Sequence, residues 1–322
     1  MTKYIVSGYI GFDNFGDELI ARILTDKLKR EGVEKITLIS SNPERTRELH
    51  GVEACGMLKF FNPLREADVL ISGGGSLLQD VTSLKSLLYY LGVIYAALLL
   101  GKKVEIFAQG IGPINSKFGQ LLTRIALRFA SKISVRDKKS QELLESWGID
   151  SELVQDPVFS LELSPSAPLA GEVSEGQRGV QTGIVGIQLR DFPTLTDEFL
   201  ENLARKVKEK YFDKKIQIIS LQDSIDLPVC EKFAQLLDIC PPCWGNAAEQ
   251  QKGVHNIEVL SGLSINEVID TISGLECLIA MRFHANVIAL KAGIETIPIN
   301  YDIKVQKLAA EYNLPLIELK RG

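Results

Sequence analysis

Arg282 and His284 stand one residue apart in the run LIAMRFHAN (278–286), where an apolar strand-like stretch gives way to an apolar helix-like one. Basic groups at the start of a helix oppose its macrodipole, so helix stability does not account for them. An anion held between these side chains and the free N–H groups of the first turn does. His284 is one of 3 histidines; His50 and His255 lie in polar, loop-like surroundings. An imidazole with an unperturbed pKa of ~6.5 suits proton transfer near neutral pH. The plain alternative is a hydrogen-bonded histidine at a helix cap. Lys304 follows the next strand in NYDIK (300–304), Arg190 and Asp191 follow a strand at 184–189, and Arg136 closes a short strand in SVRD (134–137). A guanidinium suits bidentate binding of carboxylate or phosphate. Structural ion pairs and a solvated lysine are the competing readings, and Asp137 is either the partner of Arg136 or a helix N-cap.

Two glycine-containing loops follow strands in the first half. In GYIGFDNFGDE (8–18) the spacing matches neither a dinucleotide fingerprint nor a P-loop, since GxGxxG and GK[ST] are both missing. Asp13, Asn14 and Glu18 in that loop can accept hydrogen bonds from sugar hydroxyls, or can simply cap a tight turn. In SGGGSLLQD (72–80), Gly74 and Gly75 permit close backbone approach to a ligand, with Gln79 beside them. A sharp turn explains the same glycines. QGIGP (109–113) reads as a wall of the site. CPPC at 240–243 has neither a second pair nor a nearby histidine to complete a zinc site, so no metal is assigned. Lys117, Arg124, Arg128 and Lys132 form a basic helical face of the kind usually left to solvent.

The elements that must hold these residues alternate between strand and helix. Strands at 3–7, 35–40, 68–72, 103–109 and 132–135 are separated by helical patterns at 17–30, 87–100 and 118–131. After residue 183 the alternation resumes, with strands at 184–189, 215–221, 257–260, 277–280 and 296–300 and helices at 197–210, 228–237, 265–274 and 284–291. Such an order implies βαβ units and mostly parallel sheets. The segment SPSAPLAGEVSEGQRGVQTG (164–183) has no period and reads as a linker. The expectation is therefore an α/β protein of two Rossmann-like domains, 1–163 and 184–322, facing across a cleft in the GT-B manner, with ligands at the carboxyl ends of the strands.

Composition narrows the class. The 322 residues are 45% hydrophobic and 24% charged, which is globular. A net charge of −5 argues against nucleic acid as a partner. The 5 cysteines are odd in number and scattered, and Met1-Thr2-Lys3 leads straight into a strand, so a reducing, cytoplasmic setting is expected. The apolar run 87–100 is too short to span a bilayer, which takes about 20 residues.

Taken together, NFGDE (14–18), SGGGSLLQD (72–80), QGIGP (109–113), SVRD (134–137), QDP (155–157), MRFH (281–284) and YDIK (301–304) resemble the polysaccharide pyruvyl transferase family, most nearly its cell-surface-anchoring, CsaB-like type. The resemblance runs from about residue 4 to residue 304. It implies a two-Rossmann glycosyltransferase-like fold and transfer of pyruvate from phosphoenolpyruvate to a sugar as a ketal, with no further cofactor. The acceptor it implies is an N-acetylmannosamine residue of a lipid-linked cell-wall polymer precursor. By motif, Arg136, Arg282, His284 and Lys304 correspond to active-site positions. Phe283 and Ala285-Asn286 depart from the family pattern.

On this reading the C-terminal domain takes phosphoenolpyruvate and the N-terminal domain takes the acceptor. Competing readings are a glycosyltransferase using a nucleotide sugar and a non-catalytic carbohydrate-binding protein. A lipid-linked acceptor would bring the protein transiently to the inner face of the membrane. Phe60-Phe61, the 87–100 helix and the Arg124/Arg128 face are the expected contacts.

Overall fold

The computed structural model describes residues 2–163, 183–239 and 256–319. It divides into two compact units, Met1–Leu161 and Glu162–Gly322. The expected linker and the loop around Cys240 and Cys243 lie outside the described residues.

The first unit contains β1 (Lys3–Ser7), α1 (Phe15–Arg30), β2 (Lys35–Ser40), α2 (Pro43–His50), β3 (Glu53–Gly56), α3 (Phe61–Glu66) and β4 (Val69–Gly73). It continues with α4 (Leu84–Leu99), β5 (Lys103–Gln109), α5 (Lys117–Arg128), β6 (Lys132–Val135), α6 (Lys138–Ser146), β7 (Glu152–Leu153) and a 3-10 turn at Pro157–Ser160. All neighbouring strands pair in parallel, in the order β3-β2-β1-β4-β5-β6-β7. Near-continuous apolar runs such as VLIS in β4 follow from burial on both faces. Right-handed crossovers place α1 and α2 on one face and α3 to α6 on the other. The order reverses between β1 and β4, so the loops after those strands border the crevice where such sheets bind ligands.

The second unit contains β8 (Ile184–Gln188), α7 (Asp197–Lys210), β9 (Lys215–Ile219), α8 (Asp223–Ile239), β10 (Ile257–Leu260) and α9 (Ile265–Ser273). After these come β11 (Cys277–Ala280), α10 (Phe283–Lys291), β12 (Glu295–Asn300), α11 (Ile303–Glu311) and β13 (Ile317–Glu318). Its sheet has the order β10-β9-β8-β11-β12-β13, and its reversal falls between β8 and β11.

Several elements differ from the sequence reading. The polar α2, the short β3, α3 and β7 carry too few periodic apolar residues to be seen in isolation. Helix α8 starts at Asp223 rather than at Pro228, because a proline read as a helix start is carried inside the helix. His50, expected in a polar loop, is buried at the end of α2 and bonded to Glu18.

The turn after β4 needs its glycines. Gly74 has φ 57°, and a Cβ there would lie 2.2 Å from Ile20 Cγ2 of α1, while one on Gly75 would meet Asp17 Oδ1 at 2.8 Å. Gly74→Ala is therefore expected to lose about 2 kcal/mol or more, through left-handed strain plus the clash. Urea unfolding measures this, and an unchanged midpoint would show that α1 can retreat without cost.

Candidate functional site

In the second unit, three neighbouring strands deliver the chemistry-bearing residues. Ala280 of β11 pairs with Gln188 of β8 on one side and Pro298 of β12 on the other, so the residues that follow share one sheet edge. Arg190 follows β8, Arg282 and His284 follow β11, and Tyr301 and Lys304 follow β12. This edge is the carboxyl end of the sheet at its reversal point.

Arg282 is 6% exposed and tightly held. Its Nε donates to Asp226 Oδ2 at 2.7 Å and its Nη2 to Asp226 Oδ1 at 2.8 Å and Gln222 Oε1 at 2.9 Å. Its backbone N–H donates to Gln188 Oε1 at 2.8 Å. Asp226 is fully buried and also accepts from the Leu221 N–H and from Gln188 Nε2. These bonds occupy two guanidinium nitrogens, and Nη1 takes part in none of them. Burying an ion pair costs solvation and needs such a full set of partners.

Arg282 is also the N-cap of α10 and places no side-chain acceptor on the first-turn N–H groups. The buried Asn286 amide ties the turn together by donating to Ala280 O and Arg282 O. His284 is half-buried in that first turn, its ring edge-on to Phe283 with centroids 5.4 Å apart. Arg190 is half-buried and its backbone N–H donates to Met281 Sδ. Burial pushes the Tyr301 hydroxyl above its ordinary range, while the charges of Arg190 and Arg282 and a hydrogen bond with Arg190 pull it down. The Phe192 ring packs against Tyr301 at 5.2 Å. Lys304, half-buried, lies in the first turn of α11, whose N-cap Asp302 accepts from the Lys304 N–H. The edge thus gathers two guanidiniums, an ammonium, an imidazole, a phenol and an uncapped helix start. It can hold an anion and pass a proton to it.

In the first unit, Arg136 lies beneath the surface rather than presenting its whole fork. Its Nη1 is 2.6 Å from Asp156 Oδ2 and its Nη2 donates to Ser76 Oγ at 3.1 Å. Asp137 is the N-cap of α6, accepting from the Ser140 N–H. The Glu18 carboxylate is used internally: Oε1 accepts from the Gly11 N–H at 2.6 Å and Oε2 lies 2.9 Å from His50 Nε2. Glu18 therefore shapes the 8–18 loop from below. Asn14 caps α1, and Asp13, half-exposed with φ 56°, pairs with Arg45 at 2.8 Å. Gln79 bonds to Thr82 through both ends of its amide. Asp80 staples its loop to the next one, accepting from the N–H groups of Asn115 and Ser116, which lower its carboxyl below the usual range.

The structure thus brings Arg190, Arg282, His284 and Lys304 to one sheet edge, and sets Asp13, Asn14, Gly74, Gly75, Gln79 and Arg136 in the loops of the other unit, with Glu18 in the first turn of α1. Sequence reasoning missed Asp226, Gln188 and Gln222 around Arg282, and Tyr301, Asp156 and Ser76 entered it only as members of the motifs YDIK, QDP and SGGGSLLQD without a role for each. The available signal was a polar residue at the end of an apolar strand, as in Gln188 after IVGI. Asp226 offered none, since one acid near a helix start normally only complements the dipole. Among the described residues, no group of three or more His, Cys, Asp or Glu side chains could hold a metal ion.

Two parallel sheets with interleaved helices in one chain give a GT-B-like fold of two Rossmann-like units. The profile of the polysaccharide pyruvyl transferase family matches residues 14–303, and the chain belongs to that family. It is accordingly a transferase of polysaccharide biosynthesis. No curated protein matches the sequence. Solved structures with similar folds include the UDP-GlcNAc 2-epimerase of Methanocaldococcus jannaschii, at 12% identity and TM-score 0.62, covering 99% of this chain and 89% of that one. MnaA of S. aureus in a co-structure with UDP gives 10% identity and TM-score 0.63 over 99% and 85%. A glycosyltransferase from Rickettsia africae gives 12% and 0.58 over 99% and 85%. At these identities the likeness is one of fold.

Proposed function

We propose that the protein transfers pyruvate from phosphoenolpyruvate to two hydroxyls of a saccharide, forming a ketal and releasing phosphate. The observation that carries this reading is the cationic sheet edge of the second unit, with Arg190, Arg282, His284 and Lys304 at the ends of three neighbouring strands. Phosphoenolpyruvate carries a carboxylate and a phosphate, which call for several fixed cations and no nucleotide loop. His284 donates a proton to the methylene carbon, leaving an oxocarbenium-like centre at C2. One sugar hydroxyl attacks that carbon, and a second then displaces phosphate and closes the ketal. Arg282, locked through two of its nitrogens, offers Nη1 to the anion, and Lys304 and Arg190 supply further charge to the departing phosphate. The loops holding Asp13, Asn14, Gln79 and Gly74–Gly75 bind the acceptor, with Glu18 setting the backbone of the first. By the motif resemblance Arg136 is also an active-site position, held in the first unit by its pair with Asp156.

The acceptor, by the CsaB-like resemblance, is an N-acetylmannosamine residue of a lipid-linked cell-wall precursor met at the cytoplasmic face of the membrane. Among the described residues no helix is long and apolar enough to cross a bilayer. Titration calorimetry tests the donor. Phosphoenolpyruvate is expected to bind the parent protein and to bind Arg282→Lys ~10–100-fold more weakly, because a point charge replaces neither the bidentate pair with Asp226 nor Nη1. Binding of a uridine diphosphate sugar in place of phosphoenolpyruvate would instead support the nucleotide-sugar reading.

A further inference from the structure

Helix α5 has an inverted size pattern. Its inward side carries Gly119, Thr123, Ala126 and Leu127, and Gly119 packs closely enough that a Cβ would lie 2.9 Å from Leu87 of α4. Its large apolar residues point outward: Phe118 is 58% exposed, Leu121 55%, Ile125 38%, and Phe129, at the helix end, 68%. They recur at i, i+3, i+7 and i+11, which makes one continuous stripe. Lys117, Arg124 and Arg128 follow one another along the adjoining rows of the same helix. Although the chain is net −5, no acidic residue occurs between Glu105 and Asp137.

Helix α4 lies beside α5, with the Tyr95 hydroxyl donating to Leu122 O at 2.8 Å. It exposes Leu84 and Leu88, and no acidic residue occurs between Asp80 and Glu105. The core therefore does not use this surface, which joins apolar and cationic groups in a single band.

We propose that this band, centred on α5, docks the protein on an anionic lipid surface. Phe118, Leu121 and Ile125 would enter the boundary between headgroups and acyl chains, while Arg124 and Arg128 snorkel to lipid phosphates. A second copy of the chain fits the surface less well, because an isologous contact would set these cations against their own counterparts. The placement refines the expectation from sequence. The inner side of α4 (Leu87, Tyr90, Leu91, Val93, Ile94, Ala97) is buried, so the contact moves to α5. Since α4 and α5 each return from the carboxyl end of a strand, Leu84 and Phe118 lie at the end of the unit that carries the Gly73–Gly75 loop. Docking would hold that loop edge close to the membrane, where a lipid-linked saccharide presents its sugars. The docking itself stands on the surface and not on the reaction.

Vesicle flotation tests it, with phosphatidylglycerol vesicles against phosphatidylcholine vesicles at low and high salt. The parent protein is expected to float only with the anionic vesicles and to detach as salt rises. Leu121→Gln with Ile125→Gln, and separately Lys117→Glu with Arg128→Glu, are each expected to weaken binding at least ~10-fold with unaltered thermal melting, because these side chains are exposed. Phe118→Trp should shift its emission to the blue on adding anionic vesicles. If the parent stays unbound with anionic vesicles at low salt, or both double variants bind as well as the parent, the proposal is overturned. A dimer detected by light scattering and abolished by the Leu121/Ile125 change would assign the face to a second copy instead. Phosphoenolpyruvate calorimetry on the same variants is expected to match the parent, which separates failure of docking from failure of the proposed reaction.

Discussion

His284→Ala is expected to reduce phosphate release from phosphoenolpyruvate, measured with a lipid-linked saccharide acceptor, by ~10²–10⁴-fold. The proposed reaction begins with a proton delivered to carbon, and the imidazole is the group at that sheet edge suited to delivering it near neutral pH. Phosphoenolpyruvate affinity should change far less, because the proposal assigns the anion to Arg282, Arg190, Lys304 and the start of α10, whose N-cap makes no side-chain cap bond. Stability should move by no more than about 1 kcal/mol, since the ring is half-buried beside Phe283 rather than in the core. The informative comparison is kcat against affinity. Equal loss in both would make His284 a ligand for the anion rather than an acid, and full retention of turnover would remove it from the mechanism.

Asp226→Ala carries the second large effect. Asp226 accepts from Arg282 Nε, Arg282 Nη2, Gln188 Nε2 and the Leu221 N–H, all away from solvent. Removing the carboxylate strands a buried guanidinium together with the amide and the N–H. The expected cost is about 3–5 kcal/mol, read from urea unfolding. Asp226→Asn keeps the shape and some of the bonds, so it should unfold closer to the parent while binding phosphoenolpyruvate more weakly, because Arg282 is then no longer locked. A parent-like affinity in a folded Asp226→Asn variant would show that Arg282 needs no such positioning. Measuring both variants separates the structural share of the ion pair from its share in the site.

Periodicity in the sequence marks the elements of the fold where it is strong. KITLIS and CLIA are strands buried on both faces, which favours near-continuous apolar runs, whereas KVEIFAQ alternates buried and half-buried positions. Helices such as α7 and α9 show one apolar side and end caps that can be read from residue types, Thr196 and Ser264 among them. Elements whose stability comes from their neighbours were missed. Helix α2 is polar along most of its length and is held by Thr46, by His50 and by its contact with β3, none of which announces itself locally.

The same division runs through the candidate site. Residue type, position after a strand and the motif resemblance made Arg136, Arg190, Arg282, His284 and Lys304 candidates, because the carboxyl end of a parallel strand is where ligands bind in such sheets. Only the tertiary structure decided how each is held. Arg282 meets Asp226 from a helix 56 residues away, and Arg136 meets Asp156 and Ser76 from two other segments. Glu18 passed from candidate ligand to buried support for the same reason, since its partner His50 arrives from the next helix but is 32 residues distant in sequence. Charge and hydrogen-bond partners of buried groups are long-range facts, set by strand order and crossover rather than by any local pattern. Exposure is another. From sequence only the basic face of α5 was legible, and the packing of Gly119 and Ala126 against the rest of the unit is what shows that Phe118, Leu121 and Ile125 face outward.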